Sequence, residues 1–283
     1  MRVHFLGVRG STNAIGAEFL RYGGNTSCLA LAHDDGAPTL ILDAGTGIRR
    51  ATALLAPAPF DGTVLLTHLH WDHVQGLPFF AAGDRNDSRV TVLLPEPHDG
   101  SGPRVALERG ISPPHFPVCP EELRGRWSVH GVTPGTFEVE GFEVSAFEIP
   151  HSGGRTYGYR VSDGEAVVSY APDHCPTSIG PGPDGWGEYH EAALALAERS
   201  DLLVHDAFAF KEELASATFL GHSVVEYATA LARRASARRV VFFHHHPDRS
   251  DEQLDELAAR VDWEVPTTVA TESLVVDLGA RAD

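Results

Sequence analysis

The sequence predicts an α/β protein in which strands and interspersed helices form one sandwich-like domain over residues 1–283. Strand patterns run from Arg2 to about residue 276, and no linker-like stretch divides the chain. Histidine or aspartate follows an apolar strand in both halves of the chain. With 42% hydrophobic and 22% charged residues, the composition is that of an ordinary globular protein. Because polar residues from both halves would share one site, we expect a single sandwich with that site at its junction.

The first strands are expected at residues 2–6, 29–32 and 39–42, as an antiparallel set joined by glycine-rich turns. The segment 43–47, Asp-Ala-Gly-Thr-Gly, then ends a strand and opens a short helix. Its carboxylate, Asp43, is a candidate for orienting a metal-bound imidazole from outside the ligand set.

The densest cluster of polar side chains lies at residues 67–73, Thr-His-Leu-His-Trp-Asp-His, directly after the apolar run Val64–Leu66. Alternate residues of a strand face the same way, so His68 and His70 can point at one cation. Asp72 and His73 follow the turn and can face a second. Purely structural roles would require a partner for each of these four polar groups. Imidazole nitrogen and carboxylate oxygen suit zinc or a similar divalent ion, so we expect metal binding.

Further strands are expected at 90–94, 136–139, 142–149, 156–161 and 166–170. His151 and Asp173 each follow the end of a strand, and His174 would point away from Asp173. Residues 95–125 are rich in proline, glycine and charge. Within them, the stiff apolar segment 113–118 is either a wall of the site or a dimer contact, and His115 is a wall residue rather than a ligand.

The C-terminal part repeats the arrangement of a strand followed by polar residues. Strands are expected at 201–205 and 240–243, and the second of these leads into His244, His245 and His246. Ser223 and Glu226 have the spacing of a capping box, which predicts a helix that starts beside His222. A histidine at a helix N-terminus would share the affinity of that end for anions.

The pattern His-x-His-x-Asp-His at 68–73 resembles the signature of the metallo-β-lactamase-fold hydrolases. This resemblance implies a four-layer αββα sandwich and a site for two divalent ions. The ions would be zinc, with manganese, iron or nickel compatible with the same ligands. It further implies that a metal-bridging hydroxide attacks the substrate and that Asp72 orients it and accepts its proton. The implied ligands are His68, His70 and His151 for the first ion, Asp72, His73 and His244 for the second, and Asp173 between them; His244 is preferred to His245 because it directly follows its strand.

The Gly-His-Ser sequence at 221–223 is similar to that of the phosphodiesterase branch of this family, which includes ribonuclease Z. In that branch the histidine assists the leaving group or stabilises phosphorane-like charge, so the resemblance implies a catalytic role for His222. Val224 departs from the threonine that is common there. The segments 7–11, 24–27 and 43–47 look like those of a bacterial group related to the phosphoribosyl cyclic phosphate phosphodiesterases.

The charge and the spacing of the ligands limit the substrate. A net charge of −17 disfavours a long nucleic-acid partner, because proteins bind nucleic acids largely through Lys and Arg side chains that neutralise the phosphates. The tRNA nucleases of the family carry a basic arm between the third and fourth ligands, and two strands fill that interval here. We therefore expect a small anionic substrate, most simply a cyclic phosphodiester. The alternatives are a thioesterase or lactamase on the same fold, which would not need His222, and a non-catalytic metal-bound interaction protein.

The sequence indicates a cytoplasmic protein without a membrane partner. Three widely spaced cysteines argue against a disulfide framework, and residues 1–6 lack the pattern of a signal peptide. No apolar run approaches the roughly 20 residues of a membrane span. A homodimer would use the proline-rich segment 113–118.

Overall fold

The computed structural model describes residues 1–34, 36–260 and 263–279, and in these residues two seven-stranded sheets pack face to face. The strands are β1 (Arg2–Gly7), β2 (Cys28–Ala32), β3 (Leu40–Leu42), β4 (Asp61–Leu65), β5 (Arg89–Pro95), β6 (Arg126–Val132), β7 (Gly135–Val139), β8 (Phe142–Glu148), β9 (Tyr157–Ser162), β10 (Val167–Ala171), β11 (Leu202–Asp206), β12 (Val240–Phe243), β13 (Thr267–Val269) and β14 (Val275–Asp277). The first sheet has the order β14-β1-β2-β3-β4-β5-β6, and the second has the order β13-β12-β11-β10-β9-β8-β7.

The helices cover the outer faces of the two sheets. They are α1 (Ala51–Leu55), α2 (Trp71–Val74), α3 (Pro103–Glu108), α4 (Glu191–Ala197), α5 (Leu214–Leu220), α6 (Val225–Arg234) and α7 (Asp251–Ala258). Within the described residues, no helix has the length and apolar character needed to cross a membrane. Helices outside two facing sheets confirm the predicted αββα architecture.

The central core lies between the sheets and is built from alternate residues of their strands. Val3 and Phe5 of β1 face it from the first sheet, and Tyr159 and Phe243 face it from the second. Separate apolar clusters join each sheet to its own helices. Because both faces of most strands are buried, the strands are continuous apolar runs that the sequence reveals easily.

The parallel parts of both sheets determine where the site lies. β3 and β4 are parallel neighbours in the first sheet, and β10, β11 and β12 are parallel neighbours in the second. Their carboxyl ends therefore lie at one edge of each sheet, where α/β proteins bind their ligands. The residues that follow these strands are the histidines and aspartates that the sequence singled out.

The segment after β5 contains a helix and a strand that are not predicted from the sequence. β6 pairs in parallel with β5 at the edge of the first sheet, and α3 lies within the proline- and glycine-rich segment before it. After α2, the residues Leu77–Phe79 form a single 3-10 turn. The segment 113–118 packs through Phe116, whose ring meets that of Phe79 edge to face with centroids 5.7 Å apart.

Buried Arg9 connects the N-terminal segment to the loop that follows β12. Its Nε donates to the Gly23 carbonyl at 2.8 Å and its Nη1 donates to the Arg249 carbonyl at 2.6 Å, with no exposed surface. We expect Arg9→Met to lower the free energy of unfolding by about 3–5 kcal/mol, because it leaves these carbonyls without donors. Urea unfolding tests this, with exposed Arg126→Met as the control. A loss equal to that of the control would contradict it.

Candidate active site

The first group of polar residues lies where β4 ends. After Leu65 the chain runs through Thr67 to His68 and His70, and α2 then carries Asp72 and His73. The Thr67 backbone N–H donates to Asp43 at 2.8 Å, which fixes the turn that separates strand and helix. The compact turn brings all four polar side chains of the motif into one place, as its spacing predicted.

The structure brings the seven predicted metal-binding residues together. Their ligand atoms form two clusters, in each of which all ligand atoms lie within 4.8 Å of one another: one contains His68, His70, His151 and Asp173, and the other contains Asp72, His73 and His244. A third group, Asp173, His222 and His244, is equally close and shares one residue with each cluster. Asp173 lies between the clusters. Its Oδ2 is 3.3 Å from His151 Nε2, and its Oδ1 is 3.0 Å from His244 Nε2. A carboxylate with one oxygen toward each cluster has the geometry that a shared ligand of two cations requires.

The donor atoms fit divalent ions. His70 Nδ1 and His151 Nε2 face each other at 3.2 Å, and His73 Nε2 and His244 Nε2 face each other at 3.3 Å. Among the described residues, buried His68 Nε2 has no hydrogen-bond partner. Converging imidazole nitrogens and carboxylate oxygens are the donor set of zinc and related metals.

The pKa values follow from burial and from two buried carboxylates. Burial lowers the pKa of His68, His70 and His151, which favours the neutral imidazole that binds metals. Burial also acts to lower the pKa of His244, but Asp173 and Asp72 outweigh it and raise this pKa to about 10. Although burial opposes it, the surrounding histidines hold the pKa of Asp173 well below its usual range. Burial also opposes it at Asp72, but His73 and His244 hold the pKa of this carboxyl well below its usual range. Both carboxyl groups therefore favour the ionised form and nearby cationic groups.

Asp43 orients the imidazole of His73, as the sequence suggested. Its Oδ2 accepts hydrogen bonds from His73 Nδ1 at 2.8 Å and from the Tyr170 hydroxyl at 2.9 Å. This leaves His73 Nε2 facing the cluster. His151 is held similarly, because its Nδ1 donates to the Gly221 carbonyl at 2.6 Å. Outer partners of this kind fix the tautomer and direction of metal-binding imidazoles.

We expect Asp43→Asn to weaken metal binding about 10- to 100-fold. Asp43 Oδ1 accepts from Thr67 and Oδ2 accepts from His73 and Tyr170, whereas Asn places a donating NH2 group at one of these two positions. Chelator competition on the purified protein measures the affinity. Asp87→Asn, which alters an exposed carboxylate paired with Arg85, is the control. The prediction is wrong if Asp43→Asn and the control bind metal equally well.

His244 leaves its strand in a strained conformation. Its φ of 57° is in the left-handed region, which turns its ring from β12 toward the cluster. A Cβ on Gly10 would lie 2.3 Å from His244 Nδ1, so only glycine permits this approach. His245 points elsewhere, with Nε2 2.9 Å from the Ala270 carbonyl. His245 is thus buried, whereas His246 is half-buried against Phe208.

His222 lies beside the clusters and is held by a carboxylate that the sequence reasoning missed. Its Nδ1 is 3.1 Å from Asp206 Oδ2, and its ring stacks on Phe208 with centroids 4.2 Å apart. Asp206 also accepts the backbone N–H groups of His174, Ser223 and Phe208. With Nδ1 engaged, Nε2 is the nitrogen that can meet a substrate. The signal for Asp206 was present, since it ends β11 between the strands that lead to Asp173 and His244.

The predicted capping box is wrong. The Ser223 hydroxyl donates to the Asp206 carbonyl at 3.1 Å, and Glu226 accepts from the Lys211 backbone N–H at 3.0 Å. α6 begins at Val225 with Val224 as its N-cap and without a side-chain cap. The two residues therefore brace the segment around His222 instead of the helix end, so Asp206 and not the helix determines the position of this histidine.

Two cavities open at the clusters. The mouth cavity, of about 470 Å³, is lined by four cluster residues, His70, Asp72, His151 and Asp173, and by Ser11, Leu69, Trp71, Leu220 and His222. A second cavity, of about 420 Å³, adjoins it at Leu69 and His70 and extends toward Arg109 and Arg155. Residues 113–118, including His115, line neither cavity. The expectation that this segment forms a wall of the site is therefore wrong, and its role as a dimer contact stays a prediction.

Comparison with known proteins gives one consistent family. Residues 39–245 match the model of the beta-lactamase superfamily domain. The chain is 26% identical over 286 residues to ribonuclease Z of Natronomonas pharaonis, covering 86% of each chain. Its fold is similar to that of the metallo-beta-lactamase fold protein YhfI from Bacillus subtilis (TM-score 0.68, 17% identity, 97% and 98% coverage). It is also similar to that of human tRNase Z, short form (TM-score 0.66, 20% identity, 98% and 99% coverage). The chain therefore belongs to the beta-lactamase superfamily, and its fold is that of the metallo-β-lactamase-fold proteins.

Proposed function

We propose that the protein is a metal-dependent phosphodiesterase that cleaves a small phosphodiester, with cyclic phosphodiesters as the first candidates. The observation that carries this proposal is His222, held by Asp206 beside the two clusters and lining the same mouth cavity. Hydrolysis of a phosphodiester needs a proton for the departing alkoxide, and a positioned imidazole can supply it. A thioester or lactam hydrolase on this fold would not need such a residue.

The proposed ligands follow the two clusters. His68, His70 and His151 hold one ion, and Asp72, His73 and His244 hold the other, with Asp173 shared; both sheets contribute, which supports one functional domain over residues 1–283. When bound, two divalent ions, zinc in our proposal, supply Lewis acidity and a water of lowered pKa.

Asp72 and His222 carry out the two proton transfers of the proposed reaction. Asp72 Oδ2 accepts the backbone N–H of Ser11 at 2.7 Å, which fixes this carboxylate at the mouth cavity, where it orients the attacking water and takes its proton. His222 Nε2 donates to the leaving oxygen, while Asp206 balances the charge of the protonated imidazole.

An RNA substrate is the strongest competing candidate, since the relatives named ribonuclease Z belong to the same branch. Two features favour a smaller substrate. The interval between His151 and Asp173 is occupied by β9 and β10, so an RNA-binding arm has no place there. The net charge of −17 also opposes a polyanion.

Hydrolysis of bis(p-nitrophenyl) phosphate tests the proposal. We expect turnover by the metallated wild-type protein. With a diester whose leaving group is an alkoxide, such as adenosine 2′,3′-cyclic phosphate, we expect a fall in kcat of about 10²- to 10⁴-fold in His222→Ala at unchanged metal content. His130→Ala, which removes an exposed imidazole on β6, is the control. No turnover by a fully metallated wild type would overturn the proposal. Lactam or thioester hydrolysis that survives His222→Ala would favour the other hydrolase class.

A further inference from the structure

Trp71 differs from the other tryptophans of the chain. Trp127, Trp186 and Trp263 pack against the apolar clusters outside the sheets, whereas the Trp71 side chain is 72% exposed. The Trp71 indole lies at the mouth cavity, between two of the proposed ligands in sequence. An indole that leaves so much apolar surface in water adds little to folding, which indicates a contact with something that enters the cavity.

The backbone at Trp71 is held in place. Trp71 is the first residue of α2, and the side chains on either side of it are engaged: His70 faces His151 at 3.2 Å, and Asp72 accepts the Ser11 N–H. The position of Trp71 is therefore determined by the same contacts that build the clusters. Because the backbone is fixed, only the two side-chain torsions of the indole have to be ordered when a ligand binds, which keeps the cost in conformational entropy small.

A second apolar group lines the same cavity. α5 ends in Phe219 and Leu220, which are 87% and 43% exposed, and Leu220 lines the mouth. Gly221 follows in the left-handed conformation, with φ of 90°, and directs the chain into His222. One apolar wall thus adjoins Asp72, and the other adjoins the proposed proton donor.

Resting on the proposed phosphodiesterase function, we infer that Trp71 and Leu220 form a binding site for a nucleobase. The substrate is then a nucleoside phosphodiester, such as a nucleoside cyclic phosphate, and not a sugar cyclic phosphate without a base. Every base has a flat face that stacks on an indole, and a neutral base meets no repulsion from this acidic protein. A cavity of about 470 Å³ has the size of a small-ligand site, which suits a mononucleotide.

Two substrates that differ only in the base test this inference. They are adenosine 2′,3′-cyclic phosphate and methyl β-ribofuranoside 2′,3′-cyclic phosphate. Wild type is expected to hydrolyse the adenosine compound with a kcat/KM about tenfold or more higher. Trp71→Ala should abolish this preference, Trp71→Phe should keep most of it, and both should retain the wild-type metal content. Equal use of the two substrates by wild type, or equal losses on both in Trp71→Ala, would overturn the base site.

A binding measurement separates this inference from the proposed function. Calorimetry compares AMP with ribose 5-phosphate on the metallated protein, for wild type, Trp71→Ala and Phe79→Ala. Phe79 is an exposed aromatic residue that lines neither cavity and serves as the control. If AMP binds about tenfold tighter in a Trp71-dependent way but neither diester is cleaved, the base site stands and the phosphodiesterase proposal fails. If both diesters are cleaved and AMP binds no tighter than ribose 5-phosphate, the base site is wrong.

Discussion

Asp173→Ala is expected to abolish hydrolysis and to remove most of the bound metal. Asp173 is the residue that contacts both clusters, through a different oxygen for each. Its removal takes a ligand from each proposed ion and a buried negative charge from between the imidazoles. Loss of an outer hydrogen-bond partner already weakens metal binding about 10- to 100-fold, so loss of a shared ligand should exceed this range.

Metal content by elemental analysis and kcat/KM with bis(p-nitrophenyl) phosphate are the measurements. Asp248→Ala removes an exposed carboxylate four residues after His244 and serves as the control. Circular dichroism should show that the sheets of Asp173→Ala persist, because the apolar core between them does not include this residue. A variant that keeps both its metal and more than about a tenth of its activity would show that Asp173 is not a shared ligand.

The sequence could place the proposed ligands because each of them follows a buried strand. The apolar runs of β4, β10 and β12 are short-range patterns, and His68, Asp173 and His244 lie one to three residues after the ends of these strands. The carboxyl ends of parallel strands meet at one edge of a sheet, so strand prediction also gives spatial proximity. The family resemblance then supplied the pairing of the ligands, which spacing alone does not contain.

Other features depend on tertiary contacts that no local pattern reveals. β6 is an edge strand with exposed and half-buried residues, so it lacks the apolar run that identifies a buried strand. Ser223 and Glu226 have capping-box spacing, but Asp206 and Lys211, which are distant in sequence, take their hydrogen bonds. The burial of His245 depends on Ala270, 25 residues away. For Ser223, Glu226 and His245, hydrogen bonds to residues distant in sequence determine the conformation, and no local pattern predicts them.

Asp206→Asn is expected to lower kcat about 10²- to 10³-fold with little change in KM or metal content. Asp206 contacts none of the ligands of the two clusters, but its Oδ2 accepts from His222 Nδ1 at 3.1 Å. The amide is nearly isosteric and can still accept backbone N–H groups through its oxygen. It cannot balance a protonated imidazole or hold His222 in one tautomer, so the effect should appear in the chemical step.

A double-mutant cycle decides whether Asp206 acts through His222. If Asp206 only positions and charges this imidazole, Asp206→Asn should change kcat by no more than a few fold in the His222→Ala background. The double variant should then have nearly the kcat of His222→Ala, although each substitution alone lowers kcat strongly. Thermal unfolding of all four proteins accounts for the bonds from His174, Ser223 and Phe208 that Asp206 also accepts. Additive losses in kcat, at matched stability and metal content, would mean that Asp206 acts on the reaction independently of His222 and that the proposed proton donor is wrongly assigned.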